Sequence, residues 1–159
     1  MVPLSEQNPA LWRRSLIDEA DAFLKRAWRG GSPGIRTIQA TIHGTWCWRK
    51  SLDEPAPWAQ VLALYDLLLT HRDDAIMRLN RAAAMAEAAE PHLAMCEIDS
   101  LDAQSLVNFL PYHALRANVL QRVGRVEESR LAYDAALGLG PGPAERIWLE
   151  RRKRALDGL

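Results

Sequence analysis

Between Ala117 and Pro141 the chain spaces small, turning and aromatic residues in a way that only two closely packed helices satisfy. Ala117, Ser129 and Ala136 lack the bulk to hold two helices apart. Gly124 supplies the turn between them, Tyr133 fills the gap beside the small residues, and Pro141 ends the second helix. One such hairpin cannot bury its apolar face alone, so the pattern requires neighbouring helices of similar build.

These six positions resemble one tetratricopeptide repeat, whose period is about 34 residues. A preceding copy at that spacing places a small residue at Ala83, but Glu90 and Met95 stand where Gly124 and Ser129 predict a glycine and a small residue. A degenerate array is therefore expected, offering a surface for binding and no reactive centre.

Apolar residues make up 48% of 159 positions, enough for one ordinary core. Twenty basic and twenty acidic side chains cancel, which removes the global drive for non-specific nucleic-acid binding. Cys47 and Cys96 are too few for a disulfide framework. No stretch approaches the roughly 20 apolar residues of a membrane span, the richest run, Val61 to Leu69, being broken at Tyr65-Asp66. With no secretory leader either, a cytoplasmic protein without membrane contact is expected.

Helical periodicity runs through the chain. Asn8-Pro9 reads as a helix start, after which Trp12, Leu16, Ala20, Phe23 and Ala27 recur on one face until Gly30-Gly31. Ser32-Pro33 begins a second helix, antiparallel to the first, with the stripe Ile35, Ile38, Ile42 and Trp46, and with Gly44 marking a close helix contact. Trp58, Val61, Leu62, Tyr65, Leu68 and Leu69 give a third. Asp73 or Asp74 caps a fourth, which Glu90-Pro91 breaks, and Pro91 to about Leu101 forms a fifth. Leu106, Phe109, Leu110, His113, Ala117 and Leu120 define the sixth, Ser129 to Leu137 the seventh, and Pro143 opens an eighth. The expected fold is all-α, about eight helices in an antiparallel, tetratricopeptide-like α-solenoid stack. It forms a single domain over 1–159, with a helical N-terminal part at about 8–71 and degenerate repeats at about 73–159.

Tetratricopeptide geometry puts Asn80 and Glu87 on one inner helix and Asn118, Gln121 and Arg122 on the next, lining a candidate groove for an extended peptide. The competing reading is a solvated helix face. Asp66 and Arg81 are expected to pair as part of a structural polar network. Arg146, Arg151, Arg152, Lys153 and Arg154 form the one basic patch; Glu145 and Glu150 dilute it and a helix C-terminus accounts for it, so an acidic protein surface suits it better than DNA. Trp12, Trp46 and Trp58 fall on core faces, while Trp28 and Trp48 suggest an exposed patch. His43, His71, His92 and His113 lack metal spacing, and no phosphate loop or nucleophile elbow is present, so neither catalysis nor a cofactor or metal is expected.

With the helices placed, several segments resemble one known family. They are the run Trp58 to Asp66, Leu79 to Ala82, Tyr112 to Ala114 with Arg116-Ala117, Gly124-Arg125, Ala132-Tyr133, Ala136-Leu137, and Glu145-Arg146 with Leu149 and Arg151-Arg152. In this order, from about Gln7 to Leu156, they are similar to the C-terminal tetratricopeptide-like region of a subfamily of extracytoplasmic-function RNA polymerase sigma factors. One departure is local: that family carries an acidic, glutamine-rich run ending in arginine before its first tryptophan, where this chain has Glu6-Gln7-Asn8-Pro9 before Trp12. Nothing in the chain resembles the sigma regions that bind promoters. The resemblance implies a non-catalytic regulatory domain that modulates transcription initiation through contacts with sigma regions, RNA polymerase or a signalling partner. The alternative is a free-standing tetratricopeptide-like adaptor that binds an extended peptide of another protein.

Overall fold

A computed structural model describes residues 4–158. They form eight α-helices, with short 3-10 turns near the two ends and no strand among the described residues, so the fold is all-α as expected. The chain divides into two compact units, one ending at Met77 and one beginning at Arg78.

The first unit holds α1 (Arg14–Arg29), α2 (Ile35–Cys47), α3 (Trp58–His71) and the start of α4 (Ala75–Glu87). Asn8 caps as expected, but it caps a 3-10 turn, Pro9–Leu11, with its side chain accepting from the Ala10 amide at 3.0 Å. Extended backbone at Trp12 and Arg13 then delays α1 to Arg14. Antiparallel packing of α1 on α2 is fixed by three contacts. Trp28 Nε1 donates to Thr41 Oγ1 at 2.9 Å, Trp48 Nε1 donates to Asp21 at 3.2 Å, and a Cβ on Gly44 would stand 2.9 Å from Leu24 Cδ1. Gly44 is thus the close approach its place in the helix implied. Between α2 and α3, Trp46 meets Trp58 edge to face with ring centroids 4.6 Å apart.

Arg49 closes this unit. Its guanidinium is buried and donates to the carbonyls of Ser5 at 3.0 Å, Leu52 at 3.2 Å and Glu54 at 2.8 Å. Its own carbonyl accepts from Arg14 at 2.6 Å, so one residue ties the N-terminal turn, the loop after α2 and the first turn of α1. Asp74 caps α4 by accepting from the Met77 amide at 2.9 Å.

The second unit continues through α5 (Pro91–Asp99), α6 (Leu110–Arg122), α7 (Val126–Gly138) and α8 (Pro143–Arg154). Leu106 and Phe109, placed in the sixth helix from sequence, lie in turns before it. Pro111 explains the late start, because a proline is accommodated only in a first helical turn.

Four of the six signature positions lie in the core, and α7 ends at Gly138, before Pro141. Ala117, Ser129, Tyr133 and Ala136 are fully buried, and Ser129 Oγ donates to the Ala117 carbonyl at 2.8 Å across the α6–α7 contact. Gly124 turns the chain with φ +79°, and the amide of Arg125 reaches back to the Leu120 carbonyl at 2.9 Å, a Schellman closure. Gly140, at φ +71°, leads the chain out of α7, and the buried Pro141 follows it.

The preceding copy is present, at an offset of 35 residues, one longer than the sequence period. Ala89 takes the place of Gly124 with φ +72°, and the Glu90 amide closes on the Met85 carbonyl at 3.1 Å. Ala82 and Ala94, fully buried, stand for Ala117 and Ser129, and Ile98 stands for Tyr133. The expected small residue is therefore Ala82, while Ala83 is only half-buried.

Candidate protein-contact surface

Helix α1 repeats apolar residues on two adjacent stripes, and only one faces α2. Ile17, Asp21, Leu24 and Trp28 follow the spacing of a helix seam, and Asp21, Leu24 and Trp28 of it make the contacts with α2 and with Trp48 at its end described above. Arg14 extends that inner seam by donating to the carbonyls of Cys47 at 2.8 Å and Arg49 at 2.6 Å.

The stripe expected in the core, Leu16, Ala20, Phe23 and Ala27, lies one residue around the helix and is exposed. Leu16 is 54% and Phe23 56% accessible, and α1 has no buried residue. Trp12 is half-buried.

This outer stripe forms one wall of an open groove of about 600 Å³, whose other wall comes from Ala40, Gly44 and Cys47 of α2 with Trp48. Few charges interrupt it: Asp21, Arg36 and His43 stand on its lining. Asp21 is engaged, because the Lys25 ammonium at 2.6 Å, aided by Trp48, holds its carboxyl below the usual carboxylate range. Burial pushes the Cys47 thiol up, against the opposing charge of Arg14. Trp48 is 48% exposed and lines the groove, Trp28 is 37% exposed and does not, and both indole nitrogens are already hydrogen-bonded.

The residues of the candidate peptide groove lie in the second unit. Asn80, Glu87 and Arg122 are exposed, while Asn118 and Gln121 are half-buried. Arg122 donates to the Ala86 carbonyl at 2.7 Å and pairs with Glu87, so two groove members satisfy each other across α4 and α6. Arg81 pairs with Glu97 at 2.8 Å, joining α4 to α5.

The basic patch on α8 is divided by its partners. Lys153 holds Asp134 of α7 at 2.5 Å, Arg152 stacks over Trp148 at 5.1 Å, and Arg154 reaches Glu150 at 3.5 Å. Arg146 and Arg151 are exposed. Beside Trp148, a smaller hollow of about 260 Å³ opens between Leu110, Pro111 and Ala114 of α6 and Leu149 of α8.

Among the described residues no group of His, Cys, Asp or Glu is arranged to hold a metal ion, and no helix is long and apolar enough to cross a membrane. Sequence reasoning missed Arg49 and Arg14, whose partners lie more than thirty positions away or in irregular loop backbone. No local pattern announces such contacts.

No protein-family model matches the chain, and no solved structure matches it. The chain is 32% identical over 149 residues to a protein of Rhizobium meliloti (strain 1021) described as uncharacterized. That match covers 94% of this chain and 35% of the relative, so the chain spans about a third of the relative's length.

Proposed function

We propose that the chain is a non-catalytic protein-interaction domain of an extracytoplasmic-function sigma factor, and that it modulates transcription initiation by docking on sigma regions, RNA polymerase or a regulatory partner. The observation that carries this reading is the outer stripe of α1: a strongly amphipathic helix with its apolar residues in solvent is a contact surface awaiting a protein. The ordered motifs shared with the sigma extension support the sigma assignment, and the greater length of the Rhizobium relative is in keeping with a domain attached to further regions.

Trp48 on the groove wall reports the contact. Titrating the sigma promoter-binding regions should shift its emission to the blue, and a Trp48→Phe protein should lose most of that change. Saturable binding with unaltered Trp48 emission would move the contact away from the groove.

A further inference from the structure

The outer stripe of α1 has the build of an antiparallel self-pairing seam. Leu16, Ala20, Phe23 and Ala27 alternate steps of four and three residues, the spacing of a coiled-coil seam, over a helix of 16 residues, about 24 Å long. Run antiparallel against itself, this seam places Leu16 opposite Ala27 of a second copy and Ala20 opposite Phe23, a large residue against a small one in every layer. Run parallel and in register, it sets Phe23 on Phe23 and Ala20 on Ala20, which crowds one layer and empties the next.

Charge selects the same arrangement. The first half of α1 carries Asp18, Glu19 and Asp21 beside an Arg14 that is held by the Cys47 and Arg49 carbonyls, and the second half carries Lys25, Arg26 and Arg29; with Lys25 paired to Asp21 in its own helix, Asp18 and Glu19 face Arg26 and Arg29 as the charges open to a partner. Antiparallel pairing lays each acidic half beside the basic half of the other copy. Glu19 and Arg26 take the positions flanking the seam on one side, where they face each other across the pair. Arg26 already lies over the Phe23 ring at 4.5 Å, at the edge of the stripe.

The floor is equally suited. Ile17 and Leu24 line the groove between the outer stripe and the α2 wall, where Ala40 and Gly44 add little bulk, so the second α1 lies over both helices and the two pairs form a four-helix arrangement about a two-fold axis. We infer that the occupant of this groove is a second copy of the chain, its α1 antiparallel to the first. This rests on reading the α1 face as a protein-contact surface, and it makes self-pairing the state that any other partner on that face must displace.

The test uses two charge reversals and their mixture. Glu19→Arg alone puts arginine opposite arginine, and Arg26→Glu alone puts glutamate opposite glutamate; mixed, the two proteins pair opposite charges at both symmetric positions. Sedimentation equilibrium should show the parent chain dimerising between about 10 and 500 µM, as suits a small interface. Each single variant should self-associate about tenfold more weakly, and the equimolar mixture should recover the parent's behaviour, with helicity by circular dichroism constant throughout. A parent that stays monomeric, or variants that dimerise as the parent does, would overturn the inference. Binding of the sigma regions by a monomeric parent leaves the docking function standing without self-pairing; rescue by mixing, with no binding of sigma regions or polymerase, leaves the dimer standing and removes that function.

Discussion

Ala89 and Gly124 hold the same left-handed backbone, φ +72° and +79°, at equivalent turns of two successive helix pairs. One of the two has a Cβ that this conformation disfavours. Ala89→Gly should therefore raise stability by about 0.5–1 kcal/mol in urea unfolding, the relief of left-handed strain exceeding the entropy glycine adds to the unfolded chain. Gly124→Ala should lower it by about 1 kcal/mol through backbone strain alone, since beyond its chain neighbours no heavy atom of the described residues lies within 4 Å of where its Cβ would stand.

Tyr133 supplies bulk to the α6–α7 core, and its buried hydroxyl has no hydrogen-bond partner among the described residues. Tyr133→Phe should be neutral or stabilising by up to about 1 kcal/mol, whereas Tyr133→Ala should cost about 3–5 kcal/mol. A loss of stability in the phenylalanine protein similar to that of the alanine protein would assign the hydroxyl a role the core does not show.

Burial also holds the Tyr133 phenol above the ordinary tyrosine value, although Arg152 and Arg122 pull the other way. The folded state keeps its proton where the unfolded state loses it. Stability is thus unaffected below the unfolded tyrosine pKa of about 10 and falls as pH rises from there through the folded value. Tyr133→Phe should flatten that alkaline decline in thermal melts; an unchanged slope would assign the decline to other groups, Tyr65 among them, whose phenol burial likewise raises.

Arg49 joins three backbone carbonyls to one guanidinium inside the first unit. Arg49→Met keeps much of the bulk and strands those acceptors, so it should cost about 2–3 kcal/mol. Arg13→Met, on an exposed neighbour of α1, should stay within about 0.5 kcal/mol.

Cys47 is half-buried with its thiol pushed up by desolvation, and Cys96 is exposed. A disulfide reagent should label Cys96 first and Cys47 later, which mass spectrometry of peptides reads directly. Equal rates would show that the groove wall opens.

Much of the fold is legible in the sequence because its signals are local. Proline and glycine mark helix ends at Pro91, Gly124 and Pro143, and the small residues of α6 and α7 pack where their sizes demand. The repeat offset was missed by one residue because Ala89 performs a glycine's turn without a glycine's identity. The surface was legible in composition and not in orientation. On α1 two apolar stripes lie side by side, and periodicity cannot tell which one meets α2; Gly44 and Thr41, on the other helix, decide it. Arg49 left no trace, since its acceptors are backbone carbonyls that any sequence supplies.

The most direct measurement is calorimetric titration of the purified chain with sigma promoter-binding regions, and separately with core RNA polymerase, at two salt concentrations. The proposed docking domain should bind at least one of them saturably, lose that binding in Phe23→Asp, and retain most of it at the higher salt, because the proposed contact surface is apolar. Absence of binding to both, with the chain folded, would contradict the account.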